Sequence, residues 1–316
     1  MGIYTLTMNP AIDMFIKTNQ LKNNIVNRTL YDELQPNGKG VNVSFILKML
    51  DIPNTALGFS AGFTGQYIKD KLIAKGITEE FIDVEGITRI NVFTQVLETS
   101  EEYKLVNKGP EISPSAQDAL LEKIRLLGSN DYLVISGSLP RGIDSSYLVK
   151  IAEITNEKNI SLILDISDSV ILTCLKYKPY LIKPNDEEIA QWFGVQEISE
   201  DDILEYGKSL QTLGARNVLI SLGSKGAALI TESGEILSCN APKGEVVNTA
   251  CAGDTTLGTY LASKIQGLST EESLVKAVAA GSSTAFRSGL TDFTDVDELS
   301  KQILLKKNGG KVDGYL

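Results

Sequence analysis

The sequence contains no histidine, and this absence removes several kinds of catalytic machinery at once. Ser-His-Asp and Cys-His catalysis, histidine-ligated zinc and a phosphohistidine intermediate all need an imidazole. General base catalysis near neutral pH must therefore come from Asp, Glu, Lys, Cys or Tyr.

Cysteines and basic residues are also scarce. Cys174, Cys239 and Cys251 are widely spaced and odd in number, which is typical of a reducing cytoplasm rather than of a disulfide framework. The formal charge of −10 argues against a general binder of nucleic acid or acidic membranes. No apolar run has the length of a membrane span, and no signal-peptide pattern is present. We therefore expect a cytoplasmic protein without a nucleic-acid or membrane partner.

Most of the chain shows the pattern of an α/β protein. After about residue 108, continuous apolar strands alternate with amphipathic helices. This pattern predicts a mainly parallel sheet that is covered by helices on both faces. The clearest of the predicted strands span 3–8, 55–59, 132–136, 162–166, 180–183 and 218–222.

A second, smaller sheet is predicted from strands whose polar and apolar residues alternate. Such stretches occur at 11–17, 26–34, 89–98 and 103–106. We assign residues 9–36 and 88–107 to this sheet. Residues 1–8, 37–87 and 108–316 then form the core, in which 306–314 is expected to be a frayed tail.

The segment from Asn248 to Asp254 carries the strongest chemical signal. A turn of small residues precedes an amphipathic helix that is predicted over 255–266. The amides of Cys251, Ala252 and Gly253 would lie at the helix N-terminus, where an anion is stabilised. Asp254 beside them could accept a proton, which suits phosphoryl transfer to a hydroxyl. The alternative is that Asp254 only caps the helix.

A second glycine-rich helix start lies at Gly38-Lys39-Gly40-Val41-Asn42. Asn42 and the glycine amides could bind a sugar hydroxyl, and Lys39 could bind a phosphate. A purely structural turn is the alternative. The segment is neither a Walker A loop nor a dinucleotide fingerprint, which argues against a Rossmann oxidoreductase.

Several strand ends carry further polar candidates. Asp13 follows the first strand and could bind substrate hydroxyls, or it could be a solvated turn residue. Asn185 and Glu188 begin a helix and could orient Mg²⁺ and its waters, or they could only favour the helix dipole. The loop 221–226 could accept a nucleotide or form a tight hairpin.

In their order along the chain, these motifs resemble the ribokinase-like carbohydrate kinases of the phosphofructokinase B type. The order is N-P-x-x-D, G-K-G-x-N, T-R-I-N, S-G-S-L-P, K-P-N-x-x-E, S-L-G-x-x-G and A-G-D. Residues 9–13, 88–92 and 107–113 are most similar to the bacterial 1-phosphofructokinases within that family. The resemblance implies a three-layer α/β/α core with a small β-sheet lid, which often mediates dimerisation.

The resemblance also implies an activity and a set of roles. The activity is ATP-dependent phosphorylation of the 6-hydroxyl of D-fructose 1-phosphate, with ATP and Mg²⁺ as cofactors. Asp254 would be the base, and the amides at Cys251, Ala252 and Gly253 would form the anion hole. The residues for sugar hydroxyls would be Asp13, Gly38 and Asn42, and those for the sugar phosphate would be Lys39, Arg89, Lys104 and Ser138. The nucleotide side would comprise Lys183, Asn185, Glu188, Ser221, Gly223 and Gly226, with Asn185 and Glu188 acting on Mg²⁺ through water.

The sequence departs from the family pattern at two places. Cys251 replaces a usual glycine, so it would carry strain if the position needs a positive φ, and its thiol could alternatively be redox-sensitive. Pro36-Asn37 replaces residues that are usually glycine, which could reshape the sugar pocket. Tagatose-6-phosphate kinase is a close alternative, and a non-catalytic sugar-phosphate or nucleotide sensor on the same fold is a further one.

Overall fold

The computed structural model describes residues 1–196 and 198–308. The strands are β1 (Ile3–Thr7), β2 (Ala11–Thr18), β3 (Tyr31–Asn37), β4 (Thr55–Ala61), β5 (Thr78–Glu79), β6 (Ile82–Val84), β7 (Arg89–Val96), β8 (Glu101–Leu105), β9 (Tyr132–Ser136), β10 (Ser161–Asp165), β11 (Leu181–Ile182), β12 (Asn217–Ser221), β13 (Ala227–Ile230), β14 (Ile236–Cys239) and β15 (Leu305–Asn308). The helices are α1 (Lys39–Met49), α2 (Gly62–Ala74), α3 (Pro114–Arg125), α4 (Ser146–Glu157), α5 (Ile171–Cys174), α6 (Asp186–Phe193), α7 (Glu200–Thr212), α8 (Ala252–Ile265), α9 (Thr270–Ala285) and α10 (Val296–Ser300).

The large sheet is parallel over most of its width. Within the described residues its order is β15-β14-β13-β12-β11-β10-β9-β1-β4-β5, and β6 pairs with β4. Neighbouring strands are parallel from β5 to β12, and β12 to β15 are antiparallel. The strand order reverses at β1, and ligands of such sheets bind outside the carboxyl ends of the strands at this point.

Helices cover both faces of the large sheet. One core contains Leu120 of α3, Ile151 of α4 and Leu210 of α7. The opposite core contains Leu47 of α1 and Leu257 of α8. The predicted three-layer α/β/α architecture is therefore confirmed.

The small sheet has the order β3-β2-β7-β8, and its strands come from two separated parts of the chain. Its β2 and β7 are parallel, whereas the two outer strands run antiparallel to their neighbours. Ile12 of β2 packs with Val41 and Phe45 of α1, so the small sheet is anchored on the core beside the start of α1. A separate small sheet was predicted and is present; its action as a lid stays a prediction.

Two predicted segments were placed wrongly. The second strand of the small sheet begins at Tyr31 rather than at residue 26, because residues 26–30 make no strand pairing and Leu30 bonds back to Lys17. The frayed tail was expected from residue 306, but Leu305–Asn308 pairs with β14 at the sheet edge. The rest of that tail, 309–314, lies outside the described residues. Among the described helices, none is long and apolar enough to cross a membrane.

Candidate active site

Asp254 lies in the first turn of α8 and is buried, with 5% of its surface exposed. Burial and, second, the nearby Asp165 carboxylate raise the pKa of Asp254 to about 6, while Lys39 and an amide hydrogen bond limit the rise. That bond comes from the side-chain nitrogen of Asn42 on α1, at 2.8 Å from Oδ2. A carboxylate with a pKa near neutrality is suited to accept a proton from a hydroxyl.

The N-terminus of α8 presents backbone amides and a lysine to the same space. Within the described residues, the amides of Cys251 and Gly253 have no hydrogen-bond partner, and that of Ala252 makes only a 3.4 Å bond to the Thr249 carbonyl. A methyl group placed on Gly253 would lie 3.3 Å from Nζ of Lys183. Free amides, the helix dipole and an ammonium group therefore favour an anion at this point.

Two lysines converge on one buried carboxylate. Oδ1 of Asp165, at the carboxyl end of β10, lies 3.2 Å from Nζ of Lys183 and 3.4 Å from Nζ of Lys39. Burial opposes ionisation of Asp165, but the two lysines outweigh it and lower the pKa of the carboxyl. Burial likewise lowers the pKa of Lys39, whereas Asp165 and Asp254 raise it above its ordinary value. Asp165 thus holds two cations beside the amides of α8.

Asp165 was missed in the sequence, although a usable signal was present. It is the last residue of β10, at a strand end of the kind where ligands bind in such sheets, whereas Asp13 lies inside β2 rather than at the end of β1. Asn37 and Asn91 were also left out of the predicted site. Asn91 is part of the T-R-I-N motif, and Pro36-Asn37 was noted only as a change that could reshape the sugar pocket.

A chain of side-chain hydrogen bonds connects the small sheet with Asp254. Asn91 of β7 donates to Oδ1 of Asp13 at 2.8 Å, and Asn37 of β3 donates to Oδ2. Asn37 in turn accepts a 2.8 Å bond from Asn42, which also donates to Asp254. Burial raises the pKa of Asp13 above its ordinary value, although the hydrogen bonds from Asn91 and Asn37 act in the opposite direction. The predicted sugar-binding pair Asp13 and Asn42 is therefore brought together with the predicted base.

Arg89 and Ser138 lie on either side of Asn9. Nη2 of Arg89 donates to the Asn9 carbonyl at 2.8 Å, and Nη1 donates to the Asn107 carbonyl at 3.2 Å. The Asn9 side chain donates a 3.5 Å bond to the Ser138 hydroxyl. Nε of Arg89 is buried without a hydrogen-bond partner in the described chain. Arg89 and Ser138 thus flank the same loop end beside β2.

Lys104 lies on the edge strand β8 of the small sheet. It pairs in register with Phe93, which pairs with Phe15, two residues beyond Asp13. Residues that pair across strands share a face, so Lys104 is on the same face as Asp13. Its ammonium group contacts Glu102 at 3.5 Å, and both side chains are exposed. The structure therefore places Lys104 at the outer part of that face.

Asn185 and Glu188 form a capping box at the start of α6. Asn185 accepts a 2.6 Å bond from the Glu188 amide, and Glu188 accepts a 3.0 Å bond from the Asn185 amide. Glu188 is close enough to raise the pKa of Lys39. Within the described residues no group of three or more acidic or cysteine side chains could by itself hold a metal ion. This donor set fits Mg²⁺ that is held mainly by phosphates and water.

Loop 221–226 connects β12 with β13 in an antiparallel hairpin. A tight hairpin was one of the two predictions for this loop, and the other was a nucleotide site. Ser221 pairs with Asn185 and its hydroxyl donates to the Pro184 carbonyl at 3.3 Å, so the loop lies beside the start of α6. Gly223 has φ +56° and open space where a side chain would be. At Gly226, with φ +105°, a Cβ would meet the Cys239 carbonyl oxygen at 1.9 Å.

Cys251 caps α8 in the left-handed region, with φ 65°. The strain that was expected for a side chain at this position is therefore present. The surroundings of Cys251 argue against the alternative of a redox-sensitive thiol. Burial, followed by the Asp254 carboxylate, raises the pKa of Cys251 well above its usual value, which disfavours the thiolate.

Known proteins are similar to this chain over almost its whole length. The model of the pfkB family carbohydrate kinases matches residues 6–296. The chain is 48% identical over 302 residues to the D-tagatose-1-phosphate kinase of Bacillus licheniformis, covering 95% of this chain and 98% of the relative. It is 37% identical over 301 residues to the 1-phosphofructokinase of Bacillus subtilis, with the same coverage.

A solved structure agrees in shape. Phosphofructokinase-2 from Escherichia coli, in complex with substrates and products, aligns with a TM-score of 0.88 at 26% identity, over 95% of this chain and 99% of that one. The extent of these matches shows that the chain belongs to the pfkB family of carbohydrate kinases and is a phosphotransferase for sugar phosphates.

Proposed function

We propose that the enzyme transfers the terminal phosphoryl group of ATP to the 6-hydroxyl of a ketohexose 1-phosphate. The sequence motifs favour D-fructose 1-phosphate, which would give fructose 1,6-bisphosphate and ADP. The 48% identity to a D-tagatose-1-phosphate kinase favours the C4 epimer, D-tagatose 1-phosphate, as a second candidate. Both share the reacting hydroxyl and the 1-phosphate, so one mechanism serves either substrate.

The observation that carries the proposal is the position of Asp254. Its carboxylate is buried next to free backbone amides, and Nζ of Lys183 lies close to Gly253. A pKa of about 6 keeps most of the carboxylate ionised at neutral pH and ready to accept a proton. An acceptor for the hydroxyl proton and donors for the phosphoryl oxygens are the two requirements of this reaction.

The chemical step follows from these positions. Asp254 accepts the proton of the sugar's 6-hydroxyl as that oxygen forms a bond to the γ-phosphorus. The bond from the γ-phosphorus to the bridging oxygen breaks, and ADP leaves with the electron pair. The amides of Cys251, Ala252 and Gly253 donate to the oxygens of the group in transfer, where negative charge is concentrated.

The remaining residues bind the two substrates. Asp13, Asn42 and the Gly38 segment would hold sugar hydroxyls. Cationic and hydroxyl groups from the small sheet and from the adjoining part of the core would hold the 1-phosphate; they are Arg89 and Lys104 of the small sheet and Lys39 and Ser138 of the core. The nucleotide would lie along the loop with Ser221, Gly223 and Gly226, and Lys183 would contact its phosphates.

Mg²⁺ would be held on the nucleotide side. Asn185 and Glu188 would orient the waters of the ion, and when bound the ion neutralises charge on the phosphates. The capping box leaves one carboxylate oxygen of Glu188 without a hydrogen bond in the described chain, so that oxygen is available for such a water.

The assignment of the base is tested with Asp254→Asn in an assay that couples ADP release to NADH oxidation. We expect kcat to fall by at least about a hundredfold, because general base catalysis contributes at this scale. Asp70→Asn, an exposed change on α2, is the matched control. Near-full turnover by Asp254→Asn would remove the proposed base.

A substrate panel separates the remaining alternatives. D-Fructose 1-phosphate, D-tagatose 1-phosphate, tagatose 6-phosphate and fructose 6-phosphate are each compared at saturating ATP. Preferred turnover of tagatose 6-phosphate would identify a tagatose-6-phosphate kinase. Binding of sugar phosphate or ATP by calorimetry without any ADP would identify a non-catalytic sensor.

The setting of the reaction is part of the proposal. Both substrates are small phosphorylated metabolites, which supports a cytoplasmic location. The exposed apolar side chains of the small sheet support a homodimer through that sheet; they include Leu34, Tyr103 and Leu105. Sedimentation of the purified protein tests the dimer.

A further inference from the structure

The side chain of Asn37 occupies a place between the two groups that are proposed to bind sugar hydroxyls. Asn37 is the last residue of β3, directly before Gly38 and the start of α1. Its Nδ2 donates to Oδ2 of Asp13, and its Oδ1 accepts from Nδ2 of Asn42 at 2.8 Å and from the Gly38 amide at 2.6 Å. One carboxamide therefore connects Asp13 with Asn42.

We propose that Asn37 is a specificity-determining residue, which sets how Asp13 and Asn42 can bind the sugar hydroxyls and so discriminates between C4 epimers. This inference rests on the proposed ketohexose 1-phosphate substrate.

The hydrogen-bonding capacity of the group explains the selectivity. A carboxylate accepts about four hydrogen bonds, and Asp13 already accepts one from Asn91 and one from Asn37. Asn42 has two amide hydrogens, and its 2.8 Å contacts direct them to Asn37 and Asp254. Asn42 therefore has no amide hydrogen left to donate to the sugar. Asp13 can accept hydrogen bonds from sugar hydroxyls only in the directions that Asn91 and Asn37 leave open.

Asn37 also keeps a donor of its own. Its Nδ2 carries two hydrogens, and only the one to Asp13 has a partner in the described chain. Asn37 is only partly buried, whereas Asp13, Asn42 and Asp254 are all buried. The free N–H can therefore donate to a sugar hydroxyl in one of the two configurations at C4. With the other epimer a polar group would be left without a hydrogen-bond partner, which is costly in a closed site.

The test compares kcat/KM for D-tagatose 1-phosphate and D-fructose 1-phosphate in the wild type, Asn37→Gly and Asn37→Ala. We expect the wild type to prefer one epimer. In both variants the ratio of the two kcat/KM values should move toward one by about tenfold or more, which is the size expected for one hydrogen bond near a charged group. The KM for ATP should stay within about twofold, since no ATP-side residue contacts Asn37. A purely structural defect would lower both values without changing their ratio.

Asn159→Gly is the matched control. Asn159 is exposed with φ 56°, a conformation that glycine adopts without strain, and it lies beyond α4 on the core. Thermal unfolding of each Asn37 variant shows whether it is folded. If one variant does not fold, the other supplies the ratio. A preserved ratio in a folded Asn37 variant, or a wild-type ratio near one, would overturn the inference alone. Turnover of neither epimer by the wild type would overturn the proposed function and this inference with it.

Discussion

The side-chain amide of Asn42 donates a 2.8 Å hydrogen bond to the carboxylate of Asp254. This contact joins α1 to the first turn of α8, and these helices pack in the same core on one face of the large sheet. The position of the proposed proton acceptor Asp254 relative to Asn42, a proposed sugar-binding residue, is therefore set by helix packing. The same contact also favours the ionised form of Asp254, so it affects the chemistry as well as the geometry.

The first prediction concerns the pH dependence of catalysis. Burial raises the pKa of Asp254 to about 6, and only the ionised carboxylate can accept a proton. We expect kcat/KM for the sugar phosphate to be flat above neutrality and to fall below pH 6, by about tenfold at pH 5. A rate profile between pH 5 and 9 measures this.

The fall of kcat/KM at low pH, which is the acid limb of the profile, should shift when Lys39 is replaced, because Lys39 lowers the pKa of Asp254. Lys39→Met should move the limb to higher pH, whatever its effect on KM. Lys48→Met, in the last turn of the same helix, should leave the limb in place. A limb at the same pH in the wild type and in Lys39→Met would contradict the assignment to Asp254.

The second prediction is that Asp254→Asn stabilises the fold. The folded-state pKa of about 6 exceeds the ordinary value of 3.8, so ionisation at neutral pH disfavours folding. The difference of about two pH units corresponds to at most about 3 kcal/mol in the free energy of unfolding. Thermal or urea unfolding at pH 7 should show a more stable variant, and the gain should vanish below pH 3.8. A less stable variant at pH 7 would show that ionisation of Asp254 does not disfavour folding.

The third prediction has the opposite sign and concerns Asp165. Lys183 and Lys39 hold the pKa of Asp165 below its ordinary value, so its contribution to stability is present at neutral pH and lost as the pH falls through the folded-state pKa. Asp165→Asn leaves Lys183 buried without an anion, and we expect the unfolding free energy at pH 7 to fall by about 3–5 kcal/mol. Urea unfolding checks this against the exposed change Asp70→Asn. An unchanged midpoint would mean that the lysines find other partners.

The large sheet and the position of Asp254 at the start of a helix were predictable because their signals are local. Residues 162–164 of β10 and 133–135 of β9 are continuous apolar runs, and Asp254 stands in a run of small residues before an amphipathic helix. The beginning of β3 was not predictable, since it is set by pairing with β2 and residues 26–34 show alternation from the start.

The pairing of side chains across the site could not be predicted either. Asp165 meets Lys39 through contacts that span 126 residues, and Asn42 meets Asp254 across 212. A strand-end aspartate is visible in the sequence, but which cations it holds depends on the order of strands in the sheet. The contacts of Asn37 have the same origin, because its partners Asp13 and Asn42 meet only when the small sheet packs beside α1.

The last prediction tests the anion site at the start of α8. Gly253 is the second residue of the helix, and a Cβ at this position would lie 3.3 Å from Nζ of Lys183. Gly253→Ala should leave the fold intact or make it slightly more stable, because alanine favours the helix by up to about 1 kcal/mol. The added methyl group would crowd the space between the amides and the ammonium group, where the transferred phosphoryl group is proposed to lie. We therefore expect kcat to fall by at least about tenfold, because a displaced phosphoryl group would no longer align with the donors, and misalignment with even one donor of such a site costs this much or more. Gly289→Ala, where a side chain meets open space, is the control and should keep full activity. Wild-type turnover by a folded Gly253→Ala variant would place the phosphoryl group elsewhere.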